Sequence, residues 1–387
     1  MRALAVALAA FVLLGLIDGS LGVAWPSIRE VLDRGIADLG LLLAFGSAGY
    51  MIASLGYGRL HRRTGTGMLL GTGAALLTLG VTGIAVAPTW VMLSWSALAV
   101  GGGGGLVDTG MNAHAALAFD VGSINLLHAC YGMGATLGPI VITVSLLSGG
   151  AWRAGYATLA ALQAMSAVLI WRRRGHWADV EPDLTGEVPG GVRRLQLWSM
   201  LVLFFLYTGV EVAAGQWAFT LLSESRGMGT ASAGAWVAMY WGGLTVGRFG
   251  VGLGGHRVPA SWILDISVAV AVVGLAIFGL DPLGLGYIGL PVAGLGLAAI
   301  FPTLVSLTPA RIGLLRSTSS IGYQLAAANI GAALIPWLLG ILAEGRGLEA
   351  IGTGIFAATL MLAVIHVSSA RGSRRPAMQG EDSDRPV

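Results

Sequence analysis

Three carboxyls in this chain stand deep inside long apolar runs: Asp18, Asp108 and Glu211. A charge at the centre of a membrane helix costs roughly 2.5–3.5 kcal/mol on insertion scales, so such a group is paired, neutralised or placed in a wet cavity. None of the three has an arginine within helical reach on its own segment. Desolvation disfavours the ionised form, so an unpaired carboxyl is suited to carry a proton. Asp18, Asp108 and Glu211 are therefore candidate proton-coupling residues, and a hydrogen bond between helices is the plain structural alternative. His128 joins them, because imidazole can titrate at physiological pH.

Polar stripes accompany these groups. Asp108 and Asn112 are four apart and share a helix face. Asn125, His128 and Tyr131 follow one another at intervals of three and form a second stripe. Both are expected to line a cavity, where a mixture of donors, acceptors and a ring suits a polyhydroxyl solute. Interhelical hydrogen bonds, worth about 0.6 kcal/mol each, are the other use of such groups. Trp25, Trp217 and Trp241, with Tyr240, offer flat faces of the kind sugars stack on, although Trp and Tyr also collect in interfacial belts. Trp25 lies seven after Asp18, on the same face. Gln216, Gln324 and Asn329 complete the candidate substrate-binding set. Gln216 and Trp217 do not share a face with Glu211 in an unbroken helix, so either the helix breaks at Gly215 or one assignment fails.

The elements that must position these residues are membrane helices. Of 387 residues, 55% are hydrophobic and only 11% charged, against about 25% charged in soluble domains. The apolar residues are blocked into runs near the roughly 20 residues that span a bilayer. They predict twelve helices, at roughly 3–31, 37–60, 66–86, 90–119, 122–148, 154–172, 195–223, 229–254, 260–279, 284–308, 312–343 and 348–370. The first run is too long for a signal h-region and reads as a membrane helix. Glycine is abundant, at 61 residues, which in a membrane lets helices approach closely. The run Gly101 to Gly105 lacks the Lys-Ser/Thr of a phosphate loop and predicts close packing or a flexible gate. The single Cys130 excludes an intrachain disulfide and has no metal-ligand spacing.

The polar stretch between Arg172 and Arg194 divides the chain. The expected organisation is a six-helix bundle over 1–172, a cytoplasmic linker over 173–194, a second bundle over 195–371 and a disordered tail over 372–387. The bundles are related. Gly134-Ala-Thr-Leu-Gly-Pro139 matches Gly331-Ala-Ala-Leu-Ile-Pro336 at an offset of 197. Gly56-Tyr-Gly58 matches Gly250-Val-Gly252 at 194, and Asp18 matches Glu211 at 193. All cationic side chains are arginine. Placing the termini inside puts 17 arginines on that side and 5 on the other, so the positive-inside rule predicts both termini in the cytoplasm.

The segment Gly58-Arg-Leu-His-Arg-Arg-Thr-Gly65 resembles the loop signature G-x-x-x-D-R-x-G-R-R of the major facilitator superfamily, with His61 near the place of the acidic residue. Two six-helix units side by side are the arrangement of that superfamily. A narrower resemblance is to the fucose permease-like sugar porters (fucose, galactose or glucose with a proton). It rests on Asp108-Thr-Gly-Met-Asn112-Ala and on Asn125-Leu-Leu-His128-Ala-Cys-Tyr131-Gly-Met-Gly134-Ala. Tyr207-Thr-Gly-Val-Glu211 through Gly215-Gln-Trp217 adds to it, as does Trp241-Gly-Gly-Leu-Thr-Val-Gly-Arg248. The chain differs from that group in carrying Gly22 four residues before Pro26, with its acid a turn earlier at Asp18, and Tyr131 in place of an amide.

The resemblance implies an all-α membrane protein of the major facilitator fold. Its twelve transmembrane helices would form two six-helix bundles with cytoplasmic termini, in a bacterial inner membrane. It implies a secondary transporter of a small polar solute, a sugar, by alternating access with proton coupling, sodium being the other candidate ion. Arg59, Arg62, Arg63, Arg248 and Arg257 would then serve a cytoplasmic gate. The expected partners are the solute and the bilayer; no nucleic acid, cofactor or metal is expected, and the chain is expected to act as a monomer. Gly134, Gly138 and Pro139 also resemble part of the helix-5 signature of drug/proton antiporters, which keeps an exporter open as the alternative. No HExxH, GxSxG or paired metal-ligand motif points to an enzyme.

Overall fold

The structure is a computed structural model and describes residues 2–119, 121–177, 194–254, 257–312 and 314–373. The predicted linker and tail therefore lie largely outside the described residues. The first half comprises α1 (Arg2–Val31), α2 (Asp38–Thr64), α3 (Thr66–Val86), α4 (Trp90–Ala118), α5 (Val121–Leu147) and α6 (Trp152–Arg172). The second comprises α7 (Arg194–Thr220), α8 (Thr230–Gly254), α9 (Ala260–Leu280), α10 (Gly289–Leu297), α11 (Ile300–Ile312), α12 (Leu314–Arg346) and α13 (Glu349–Ser373). Among the described residues, eleven helices are long and apolar enough to cross a membrane. The α8 segment, which carries Arg248 and several glycines, is not among them.

The predicted tenth helix is present as one span, with a turn at Ala298–Ala299 that separates α10 from α11. Pro302 supplies the physical reason: it has no N–H to give the carbonyl of Ala298, and its ring clashes there. Together α10 and α11 still make one span, Gly286–Thr308.

Small residues set how the helices cross. A Cβ on Gly134 of α5 would overlap the Val12 carbonyl of α1, and one on Gly331 of α12 would overlap the Phe205 carbonyl of α7. The matched glycine-proline segments thus make the same crossing in each half. The glycine run is packing, inside an unbroken helix. Gly101 and Gly105 lie against α2, and Gly103 lies against α3, so α4 wedges between two neighbours at backbone distance.

The halves meet through α1 with α7, α2 with α12, and α5 with α8. These contacts lie from the middle of the bundle to the end away from the termini. There Arg29 is ion-paired with Glu224. Glu344 of α12 accepts the Ala37 N–H at 3.1 Å, and a Cβ on Gly40 of α2 would overlap Trp337 of α12. Midway, the Thr136 and Thr245 hydroxyls approach to 3.4 Å across the halves. Arg59, Arg62, Arg63 and Arg257 are exposed near the end that bears the termini. The hydrogen bonds and ion pairs found between the halves lie at mid-bundle and at the far end.

Candidate functional site

Polar side chains gather at mid-bundle, beside the seam between the halves. In the first half, Asp18 of α1 accepts a hydrogen bond from the Tyr131 hydroxyl of α5 at 2.8 Å. Asp108 of α4 accepts from the Tyr50 hydroxyl of α2 at 2.6 Å and from Asn112 Nδ2, one turn on, at 2.9 Å. The Thr109 hydroxyl donates to Ser54 at 3.1 Å beside it. Asp18 and Asp108 are close enough to feel each other's charge, and His128 feels that of Asp108. Asp18 and His128 are exposed, while Asp108, Asn112 and Tyr131 are half-buried, so water reaches the cluster. His128 also packs its ring edge-on against Phe11, with centroids 5.7 Å apart. The Asn125 side chain lies outside the described ones. Among the described residues, neither Asp18 nor Asp108 forms a salt bridge.

In the second half the structure corrects two expectations at once. Glu211 of α7 does have a cationic partner: Arg248 of α8 donates to its Oε1 at 3.2 Å. Arg248 is therefore part of the central cluster and not of a gate at the terminus-bearing end. Helical reach along one chain could not reveal this, because the two residues are 37 positions apart. The Tyr240 hydroxyl donates to the Glu211 carbonyl at 2.7 Å, and Tyr131 from the first half lies within the electrostatic reach of both Arg248 and Glu211.

The helix-face puzzle of α7 resolves without a break, since α7 is continuous through Thr220. Three faces meet three neighbours. Glu211 faces α8. Gln216 faces α1, where its Nε2 donates to the Asp18 carbonyl at 3.1 Å. Trp217 faces α12, where its Nε1 donates to the Pro336 carbonyl at 3.1 Å. Gly215 gives room to the Trp241 ring, which a Cβ there would strike.

Several candidate binding residues are structural. Trp25 is fully buried and packs edge-on against Trp90, so it presents no face to a cavity. Trp217 is likewise fully buried. Gln324 of α12 is fully buried and exchanges hydrogen bonds with the Thr308 hydroxyl of α11, its Nε2 donating at 3.1 Å. Asn329 donates to the Leu325 carbonyl of its own helix at 2.9 Å. In Trp217, Gln324 and Asn329 a polar group in an apolar helix has found a neighbour, which is the ordinary requirement on buried polar atoms, whereas Trp25 Nε1 has no hydrogen-bond partner. Sequence reasoning missed Tyr50. Its partner Asp108 is 58 residues away, and no spacing signal connects them. Among the described residues, no group of three His, Cys, Asp or Glu side chains could hold a metal ion.

Comparison with known proteins adds the following. The sequence model of the Major Facilitator Superfamily matches residues 7–336. "Bypass of stop codon protein 6" of Saccharomyces cerevisiae is 24% identical over 88% of this chain and 77% of its own length. A glucose/galactose transporter of Brucella abortus is 27% identical; the match covers 58% of this chain and 58% of that protein. The chain thus spans little more than half of the sugar transporter it matches. Among solved structures, a mutant of the nucleoside transporter NupG superposes with a TM-score of 0.77 at 12% identity, over 95% of this chain and 100% of that one. The fucose:proton symporter FucP of E. coli superposes with a TM-score of 0.63 at 16% identity, over 97% and 99%.

Proposed function

The chain belongs to the Major Facilitator Superfamily, and from that premise we propose that it is a proton-coupled carrier of a small polar solute, a sugar, working by alternating access. The observation that carries the proposal is the pair Asp18 and Asp108. Each carboxyl is held by a tyrosine hydroxyl and not by a cation. Each therefore lacks the partner that would hold it permanently ionised, and each sits near the seam between the halves. A proton taken up there from one side can be released to the other once the seam changes over. Hydroxyl-rich neighbours suit a polyhydroxyl solute, and relatives named for glucose, galactose and fucose support that class.

With the termini in the cytoplasm, as the arginine distribution favours, the Arg29–Glu224 contact closes the outer side. Arg59, Arg62, Arg63 and Arg257 would meet across the inner end only when it shuts. The half boundaries stand at the 173–194 linker, and the membrane is the bacterial inner membrane.

The test is uptake in proteoliposomes that hold the purified chain, under an imposed inward proton gradient. A sugar panel is added and the external pH is followed. Sugar-dependent alkalinisation outside is expected. Its absence across the panel, with export of a preloaded solute in exchange for protons, overturns symport in favour of the exporter alternative.

A further inference from the structure

Of the hydrogen bonds and ion pairs found between the halves, one lands on the proposed proton site. Gln216 of α7 donates its Nε2 to the backbone carbonyl of Asp18 at 3.1 Å. The others join Arg29 to Glu224, Ala37 to Glu344 and Thr136 to Thr245, and touch neither Asp18 nor Asp108. The contact is set into the packing. Within the α1 helix the Asp18 carbonyl faces the N–H of Gly22, four residues on, and Gln216 takes the lone pair that the helix leaves open. Gly22 also lets α7 come this close, because a Cβ on it would stand 2.6 Å from the Gln216 carbonyl. Gln216 is only 5% exposed, and a hydrogen bond shielded from water is stronger than one in water.

The contact lies on one line with the outer ion pair. Asp18 and Gly22 of α1 meet Gln216 of α7. Further along both helices, in the same direction, Arg29 meets Glu224. Parting α1 from α7 at the outer end therefore breaks the ion pair and then pulls on the Gln216 contact. At Asp18, α1 is held from two sides: its carboxyl by Tyr131 of α5 in its own half, and its carbonyl by Gln216 of the other half. Once Gln216 lets go, only the hold from its own half remains.

We propose that Gln216 is a positioning residue that keeps Asp18 from the outer side until α1 and α7 part, and so makes proton uptake by Asp18 conditional on opening of the outer seam. Gln216 acts through the Asp18 backbone and touches neither proton nor solute. The Asp18 carboxylate takes its proton from outer water after release, and keeps it as a neutral carboxyl while the seam closes. The inference rests on the carrier reading above and adds the step at which its proton enters.

The experiment has two readouts, and neither needs a solute. Asp18→Cys preserves the carbonyl that Gln216 holds, and Cys130→Ser removes the other thiol. In right-side-out membrane vesicles, a membrane-impermeant maleimide added outside should label this chain about fivefold faster when Gln216→Met is added, the equivalent of one lost hydrogen bond. The second readout keeps Asp18. In proteoliposomes without solute, Gln216→Met should dissipate an imposed pH gradient about fivefold faster than the wild type, and adding Asp18→Asn should restore the wild-type rate. A merely structural role would lower the melting temperature without a leak that depends on Asp18. If Gln216→Met does not fold, Gln216→Glu, which keeps the length and loses the amide donor, carries the same expectations. Unchanged labelling overturns the positioning role whatever the solute is. A leak that persists with Asp18→Asn overturns it as well. Faster labelling without a leak overturns proton carriage by Asp18, in this step and in the carrier reading alike.

Discussion

In the first half, Asp108 is held by two neutral donors, Tyr50 and Asn112, and Asp18 by a third, Tyr131. In the second half, Glu211 faces a guanidinium. The same duplicated scaffold thus holds its carboxyls in two electrostatic settings. A neutral donor stabilises a carboxylate without forbidding its protonation. An arginine keeps its charge throughout the pH range of proteins and binds its partner as an ion pair. Asp18 and Glu211 hold matched places in the two halves yet differ in this respect. On the proposed reading, proton traffic belongs to the first half and a fixed charge pair to the second.

The largest expected effect tests what the halves share. Gly134→Val and Gly331→Val each place side-chain atoms inside a backbone carbonyl of the neighbouring helix. Both are expected to abolish a monodisperse folded peak in size-exclusion chromatography. If one variant folds normally, the two crossings are not equivalent.

The next effect separates the halves. Asp108→Asn is expected to reduce proton-driven accumulation to background while solute counterflow continues. A variant that still concentrates solute makes Asp108 structural.

Glu211→Gln should act differently. It leaves Arg248 half-buried without its partner, and removing one member of a buried pair costs up to 3–5 kcal/mol. This pair is partly exposed, at 30% and 13% of its side chains, so about 2 kcal/mol is expected after solvent screening. A lowered melting temperature, recovered in part by adding Arg248→Gln, is the expected readout. Loss of accumulation with unchanged stability and intact counterflow would instead make Glu211 a proton carrier and erase the contrast.

The smallest effect concerns the neutral donors. Tyr50→Phe removes one hydrogen bond to a charged acceptor, worth about 1.5–3 kcal/mol at most. It is expected to change the rate of proton-driven uptake by about tenfold, with counterflow affinity unaltered. An effect on affinity alone would place Tyr50 in solute binding.

Some of this was legible beforehand, and the reason is physical. Burial in lipid demands long apolar runs, so the helices could be read along the chain. Duplication leaves a constant offset, so the matched segments around Pro139 and Pro336 could be read too. The tenth span could be read in the same way, and the turn inside it follows from Pro302, which sits within an apolar run. Asp18, Asp108 and Tyr131 could be picked out because a polar residue in such a run stands out, and the structure brings them to one cluster. Trp25, Trp217 and Gln324 stood out equally and lie fully buried. A sequence displays the polarity of a residue and not the neighbour that satisfies it.

By itself, then, the sequence determined the helices, their pairing into like halves and the residues that had to find a polar environment. The apolar cost of each position is a property of the residue and its immediate run. Only the tertiary structure decided which polar residues met one another: Arg248 with Glu211 across 37 positions, Tyr50 with Asp108 across 58, Gln216 with the Asp18 carbonyl across 198. Those partnerships arise from helix crossings set by small residues far from the groups they bring together, and they separate carboxyls held by neutral donors from one paired with a guanidinium.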